Sequence, residues 1–192
     1  MLAPPKRLFI GLIPDRLTQM AIQRHCRSWH WPEGCVPTRF GRYHLTLHFL
    51  GEQGPGIEAR LRRALGQVHL PPLQLELAQP QVWRNHVAVL RPCDDAAVRA
   101  LQETLATTAK LAAANRFEPH VTLAHQAASA RPPADMRPIT WQVRGFALVW
   151  SRLYPEVKPS RYEIVESFGL HAQGSWTLPP SGHASRSQMP LF

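Results

Sequence analysis

The 192-residue sequence predicts an α+β fold made of two similar lobes. Two observations carry this. A strand–helix–strand pattern occurs twice, and each copy ends in nearly the same motif, HLTL at 44–47 and HVTL at 120–123. The spacing is also repeated: His44 lies 38 residues after Lys6, and His120 lies 34 after His86. This is a duplication of pattern with little sequence identity. Two such lobes packed face to face bring both motif strands into one cleft.

The elements follow in order. KRLFIGLIP (6–14) is a short apolar run closed by proline, which reads as a buried strand. Asp15 caps a helix in which Leu17, Met20, Ala21 and Arg24 share a stripe. WPEGCVPTRFGR reads as a loop from its Pro and Gly content. YHLTLHFLG is the first motif strand, closed by Gly51. IEARLRRALGQV gives a second helix with Ile57, Leu61, Ala64, Leu65 and Val68 on one side. LQLELAQPQVW alternates as a strand does. HVAVLRP (86–92) then matches the pattern of LFIGLIP. Asp94 and Asp95 can cap a long helix, AAVRALQETLATTAKLAAAN, carrying Val98, Leu101, Leu105, Thr108 and Leu111 at helical spacing. FEPHVTLAH is the second motif strand. After a Pro-rich link come two strand candidates, ITWQVRGFALVWSRLY and SRYEIVESFGL. Residues 1–174 form one bilobal domain in this reading, and 175–192, rich in Ser and Pro, form a mobile tail.

Composition limits the function classes. At 44% hydrophobic and 18% charged the chain is an ordinary soluble globular protein. No apolar run approaches the ~20 residues of a membrane span. The start, MLAPPKRLFIGLIPDR, is a poor signal peptide because its apolar stretch is short and meets Pro14, Asp15 and Arg16 at once. Cys26, Cys35 and Cys93 are odd in number and widely spaced, which suits reduced thiols. The expectation is a cytoplasmic monomer with no membrane association. The net charge of +9 favours an anionic partner, though basic surfaces are common.

On a strand, His44, Thr46 and His48 share one face by alternation, opposite Leu45, Leu47 and Phe49. His120 and Thr122 share a face opposite Val121 and Leu123. Neighbours at i and i+2 stand ~6.6 Å apart, a span that a phosphate bridges. Two such pairs around one phosphate make an acid–base machine. One neutral histidine takes a proton from the attacking group and one protonated histidine gives a proton to the leaving alkoxide. With an ordinary pKa of ~6.5, histidine suits both roles. The threonines orient the group and stabilise charge on the phosphoryl oxygens. A lone His-x-Thr in a strand means little, since a histidine beside a β-branched residue is common. Two copies, each ending a strand–helix–strand unit, mean much more.

With RLFIGLIP, HLTLHFLGE, RFEPHVTLA and SRLYPEVKPSRYEIVESFGL in this order over residues 6–170, the chain resembles the 2H phosphoesterases. Within them it is similar to the bacterial and archaeal RNA 2′,3′-cyclic phosphodiesterases, also described as 2′-5′ RNA ligases. The resemblance implies a bilobal α+β fold, two pseudo-symmetric βαβ-containing lobes with antiparallel sheets around a central cleft. It implies His44 and His120 as catalytic residues and Thr46 and Thr122 as phosphate binders. The implied substrate is RNA or an oligonucleotide with a 2′,3′-cyclic phosphate end, opened without a metal or other cofactor to a 2′-phosphate. By analogy His120 is the base and His44 the acid. Many relatives carry arginine where this chain has His125, so a fixed positive charge beside the phosphate is missing there. By strict alternation His125 also falls on the Val121 and Leu123 face.

His48, His125, Arg42 and Phe40 complete the set of expected substrate contacts, with a structural strand-end role the alternative for His125. Arg39 and Arg116 also stand near the motifs, and Tyr43 and Phe117 can stack on a base or pack between lobes. Trp29, Trp31, Trp83, Trp141 and Trp150 read as core or loop anchors, and Tyr162 as structural. RLRRAL (60–65) is a basic helical face, usually a solvated surface, that can also guide RNA. A metal site on His44, His48 and His120 lacks an obvious Asp, Glu or Cys and leaves the threonines without a purpose. Rival functions are cleavage of 2′-5′ linked oligonucleotides or small cyclic phosphates, and an RNA-end-binding module without turnover.

Overall fold

The structure, a computed structural model, describes residues 6–54, 56–112, 116–152 and 161–171. The expected C-terminal tail and part of the closing motif lie outside them. Among the described residues nine strands form one sheet with the order β7-β4-β5-β6-β3-β1-β8-β9, and every pairing is antiparallel. The strands are β1 (Lys6–Leu12), β2 (Val36–Pro37), β3 (Leu45–Gln53), β4 (Leu73–Val82), β5 (Ala88–Pro92), β6 (Val121–His125), β7 (Ile139–Val143), β8 (Gly145–Arg152) and β9 (Arg161–Gly169). The short β2 pairs with β6. The helices are α1 (Arg16–Cys26), α2 (Ile57–Leu65) and α3 (Ala96–Ala109).

The two lobes are the two halves of this sheet. β3, β1, β8 and β9 form one, and β6, β5, β4 and β7 form the other. They join at a single residue pair, Leu45 opposite Val121. The duplication is visible in the register. Gly11 and Leu12 face Thr46 and Leu45, as Val89 and Leu90 face Thr122 and Val121. Alternating residues of β1 (Leu8, Ile10 and Leu12) enter the main core with Leu61, Leu65, Leu101 and Leu105 from the helices. α2 packs against α3, and α1 lies against β7 of the other lobe.

Several boundaries differ from expectation. α1 is capped by Asp15, whose carboxylate accepts the Thr18 N–H at 2.9 Å. That phase buries Thr18 and Ile22, leaving Leu17 78% and Met20 44% exposed. The expected stripe through Leu17 and Met20 is therefore turned about one residue too far. α3 starts after Asp95 as expected and buries Val98, Leu101 and Leu105. It ends earlier than expected because Lys110 adopts a left-handed conformation, φ 51°. The first of the two expected late strands is two strands, β7 and β8, broken at Arg144. β3 does not stop at Gly51. It runs on to Gln53, with Gly51 at φ 68° absorbing an irregularity where Leu50 has no partner on β1. No helix among the described residues is long and apolar enough to cross a membrane.

Candidate active site

Each motif begins one residue before its strand: His44 precedes β3 and His120 precedes β6. Leu45 and Val121, directly paired, are fully buried on the helix side. Their neighbours point the other way. Continuing the antiparallel register by one residue puts His44 opposite Thr122 and Thr46 opposite His120. Directly opposed side chains stand ~5 Å apart and same-strand ones ~6.6 Å. The two motifs thus interlock into a square of two histidines and two threonines, each histidine across from the other motif's threonine. All four are half-buried, and among the described residues the threonine hydroxyls have no hydrogen-bond partner.

The two imidazoles are held in the same way. His44 Nδ1–H donates to the Arg42 carbonyl oxygen at 2.8 Å, and His120 Nδ1–H donates to the Glu118 carbonyl oxygen at 2.7 Å. A carbonyl only accepts, so each Nδ1 carries the proton and each Nε2 is left for chemistry. Burial lowers the pKa of both rings. His44 is further lowered by the charges of His120 and Arg42, against the pull of its carbonyl bond. His120 is lowered by Arg91, while its carbonyl bond and Glu118 pull upward.

The surroundings of the two rings differ. His44 touches Phe9 (centroids 4.9 Å apart) and Tyr162 (5.1 Å), and the Arg42 guanidinium lies 4.6 Å over the Tyr162 ring. The Phe9 ring lies on Gly11, where an added Cβ would meet Phe9 Cε2 at 3.2 Å and the Leu45 carbonyl oxygen at 3.0 Å. Gly11 therefore lets the aromatic ring lie down toward the histidine. His120 instead meets the edge or face of Trp83, with centroids 4.4 Å apart. Beside it Arg91, on β5, continues the Val89 face. Arg91 Nε and Arg42 Nε are both buried with no hydrogen-bond partner among the described residues. They supply one unsatisfied guanidinium N–H beside each histidine.

Arg42 and the four motif residues are brought together as the sequence suggests. His48 is not. Gly11 pairs with Thr46 but Ile10 pairs with His48, so Leu47 is an extra, bulged residue. Alternation is lost there, and Leu47 and His48 are both buried. His48 Nε2–H bonds to the Gln102 carbonyl of α3 at 2.8 Å, on the helix side of the sheet. This removes His48 from both the substrate contacts and the imagined metal set. No group of three or more His, Cys, Asp or Glu side chains among the described residues is placed to hold a metal ion.

The same bulge recurs in the second motif: Val89 pairs with Thr122 and Ala88 with Ala124, leaving Leu123 extra. Leu123 and Ala124 are both buried, and His125 returns to the Thr122 side, exposed. Strict alternation puts it on the Leu123 face instead. Phe40 is 43% exposed in the loop before the motif, with no ring contact to either histidine. Arg116 is surface-exposed and paired with Glu118 at 2.7 Å. Tyr43 is buried beside Cys26, and Trp29 stacks on Trp31 at 4.8 Å. Trp83 and Tyr162, read as structural, instead flank the two histidines. Arg91 gives no sequence signal beyond its place in HVAVLRP, where the paired run LFIGLIP has Ile13. A hollow of about 580 Å³ lies beyond Ile13, lined by Trp141, Arg144 and Phe168 among others, and reaches neither histidine.

Two interlocked His-x-Thr motifs at the seam of a duplicated antiparallel sheet define the 2H phosphoesterase class. Residues 25–154 match the family model described as the 2′-5′ RNA ligase superfamily, and the chain belongs to that family. The RNA 2′,3′-cyclic phosphodiesterase of Escherichia coli is 30% identical over 137 residues, 67% of this chain and 77% of that protein. The protein of the same name from Thermus thermophilus is 43% identical over 58 residues, and the match spans 30% of this chain and 28% of that one. Among solved structures, apo E. coli LigT superposes with a TM-score of 0.75 at 26% identity, covering 88% of this chain and 99% of its own. E. coli LigT complexed with 3′-AMP gives 0.74 at 25% identity, covering 87% and 99%.

Proposed function

We propose that the protein hydrolyses a terminal 2′,3′-cyclic phosphate of RNA to a 2′-phosphate by paired histidine acid–base catalysis that needs no metal. The observation that carries this reading is the square of His44, Thr46, His120 and Thr122 with both Nε2 atoms free. A cyclic phosphate in that square meets a proton acceptor on one side and a proton donor on the other. Neutral His120 Nε2 takes a proton from water as its oxygen bonds to phosphorus. The bond from phosphorus to the 3′ oxygen breaks, and His44 Nε2–H gives that oxygen a proton. The hydroxyls of Thr46 and Thr122 hold the non-bridging oxygens. The names of the two curated relatives, and the 3′-AMP bound by E. coli LigT, support the substrate class.

The same square also accepts a ribose 5′-hydroxyl in place of water. His120 then deprotonates that hydroxyl, and the product is a 2′-5′ phosphodiester. This is ligation by the same proton transfers.

The test is to incubate the purified chain in EDTA with an RNA ending in a 2′,3′-cyclic phosphate and identify the product. A 2′-phosphate is expected. A 3′-phosphate overturns the regiochemistry, a requirement for added metal overturns the mechanism, and binding without product moves the reading to an RNA-end-binding module.

A further inference from the structure

Outside the square, the cleft face of the first lobe carries an aromatic side chain left in solvent. Phe49, Phe9, Val149 and Ile164 form one row across β3, β1, β8 and β9. Its middle is buried, Phe9 at 3% and Val149 at 0%, but Phe49 is 58% exposed. The bulge at Leu47 puts Phe49 on this face, and its ring turns toward Gly51, away from His44. Over that ring lies the Arg7 guanidinium, 5.0 Å from the centroid. Among the described residues no ion pair holds Arg7, although Glu52 stands opposite it in the register.

We propose that Phe49 and Arg7 form a subsite for a nucleotide upstream of the cyclic end, so that the enzyme reads single-stranded RNA and not only its terminal residue. The inference rests on the function proposed above. A base stacks on an exposed aromatic ring whatever its identity, because every base has a π-face. An unpaired arginine beside it takes the neighbouring phosphate. The site is continuous with the catalytic square, because Phe9 is opposite Phe49 on one side and its ring is 4.9 Å from His44 on the other. Five residue steps along the strand lead from His44 to Phe49, at most ~17 Å, within reach of the nucleotides preceding the terminal one. The chain's net charge of +9 favours the same polyanion.

The experiment compares an oligoribonucleotide ending in a 2′,3′-cyclic phosphate with a 2′,3′-cyclic mononucleotide, for wild type, Phe49→Ala and Arg7→Gln. On the oligonucleotide KM rises about tenfold in Phe49→Ala while kcat is kept, as expected for losing one stacked base. Arg7→Gln raises KM less and flattens its dependence on salt. On the mononucleotide both variants match wild type. Equal losses on both substrates, or none on either, overturn the subsite. If wild type turns over neither substrate, the proposed activity fails, and the subsite is judged by fluorescence anisotropy with a labelled oligoribonucleotide. Tighter binding by wild type than by Phe49→Ala supports it, and equal binding overturns it. Phe49 and Arg7 are exposed, so matched thermal melts exclude a folding defect.

Discussion

Leu45 and Val121 pair directly across the seam between the lobes, and this contact sets the geometry of the histidine–threonine square. It fixes which threonine each histidine faces, so the two motifs act as one unit. A unit of this kind loses most of its function when any one proton-transfer group is removed, and further removals add little. His44→Ala and His120→Ala are each expected to lower kcat by at least ~10²-fold, up to ~10⁴-fold. The double variant is expected to fall little further. Single-turnover rates on a cyclic-phosphate RNA test this, with circular dichroism to check folding. Simple multiplication of the two single losses would mean that the histidines work independently.

Burial and neighbouring cations lower the pKa of both histidines in the free enzyme. The base needs its neutral form, which a lowered pKa favours, so activity persists below the usual histidine range. The acid needs its protonated form, which a lowered pKa disfavours, so kcat/KM is expected to start falling, as pH rises, below the ordinary histidine pKa of 6.5. A bound phosphate carries negative charge and favours the imidazolium. The basic limb of kcat is therefore expected at higher pH than that of kcat/KM. Superimposable limbs, or profiles flat across the whole range in which histidine titrates, would argue against two histidines in opposite protonation states.

Arg91 stands next to His120 with a buried Nε that bonds to nothing among the described residues. Arg91 is thus a fixed cation on that side of the square. Arg91→Met is expected to lower kcat/KM about tenfold, chiefly through KM, consistent with ~1.5 kcal/mol for one charge-assisted hydrogen bond. Removing the cation also raises the His120 pKa, so the acid limb of the profile moves to higher pH. A loss of rate without that movement would point to a packing defect.

The fold was legible because its signals are local. Apolar runs closed by proline gave β1 and β5, Asp15 and Asp95 gave helix starts, and the repeated motif gave the two strands that meet at the seam. What failed depends on partners distant in sequence. A bulge exists only relative to a neighbouring strand, so nothing in HLTLHFLG itself announces that Leu47 is the extra residue. Without the bulge, alternation puts His48 in the cleft and Phe49 in the core, the reverse of what is found. Trp83, Arg91 and Tyr162 were missed as site residues for a related reason. Each reaches its histidine from a strand end or a neighbouring strand, far away in the sequence.

The same displacement gives His48 a structural role that separates stability from catalysis. Its ring is buried against α3 and donates to the Gln102 carbonyl, and burial lowers its pKa. In the folded state it is neutral, whereas in the unfolded chain it protonates near its ordinary pKa of 6.5. The unfolded state therefore binds more protons as pH falls. The stability that His48 contributes is full above the unfolded pKa and is lost as pH drops toward the lower folded value. His48→Ala removes the side-chain donor to the Gln102 carbonyl, which keeps its helical bond, and leaves a cavity between β3 and α3, and is expected to cost ~1–3 kcal/mol. Measured by urea denaturation, the variant should lose less stability than wild type as pH falls from about 7 to about 5. Its kcat, measured well below the melting range, should stay within about twofold of wild type, because the side chain does not face the substrate. A hundredfold loss of kcat in a folded His48→Ala protein would return His48 to the cleft and refute the bulge as the feature that sets this strand's two faces.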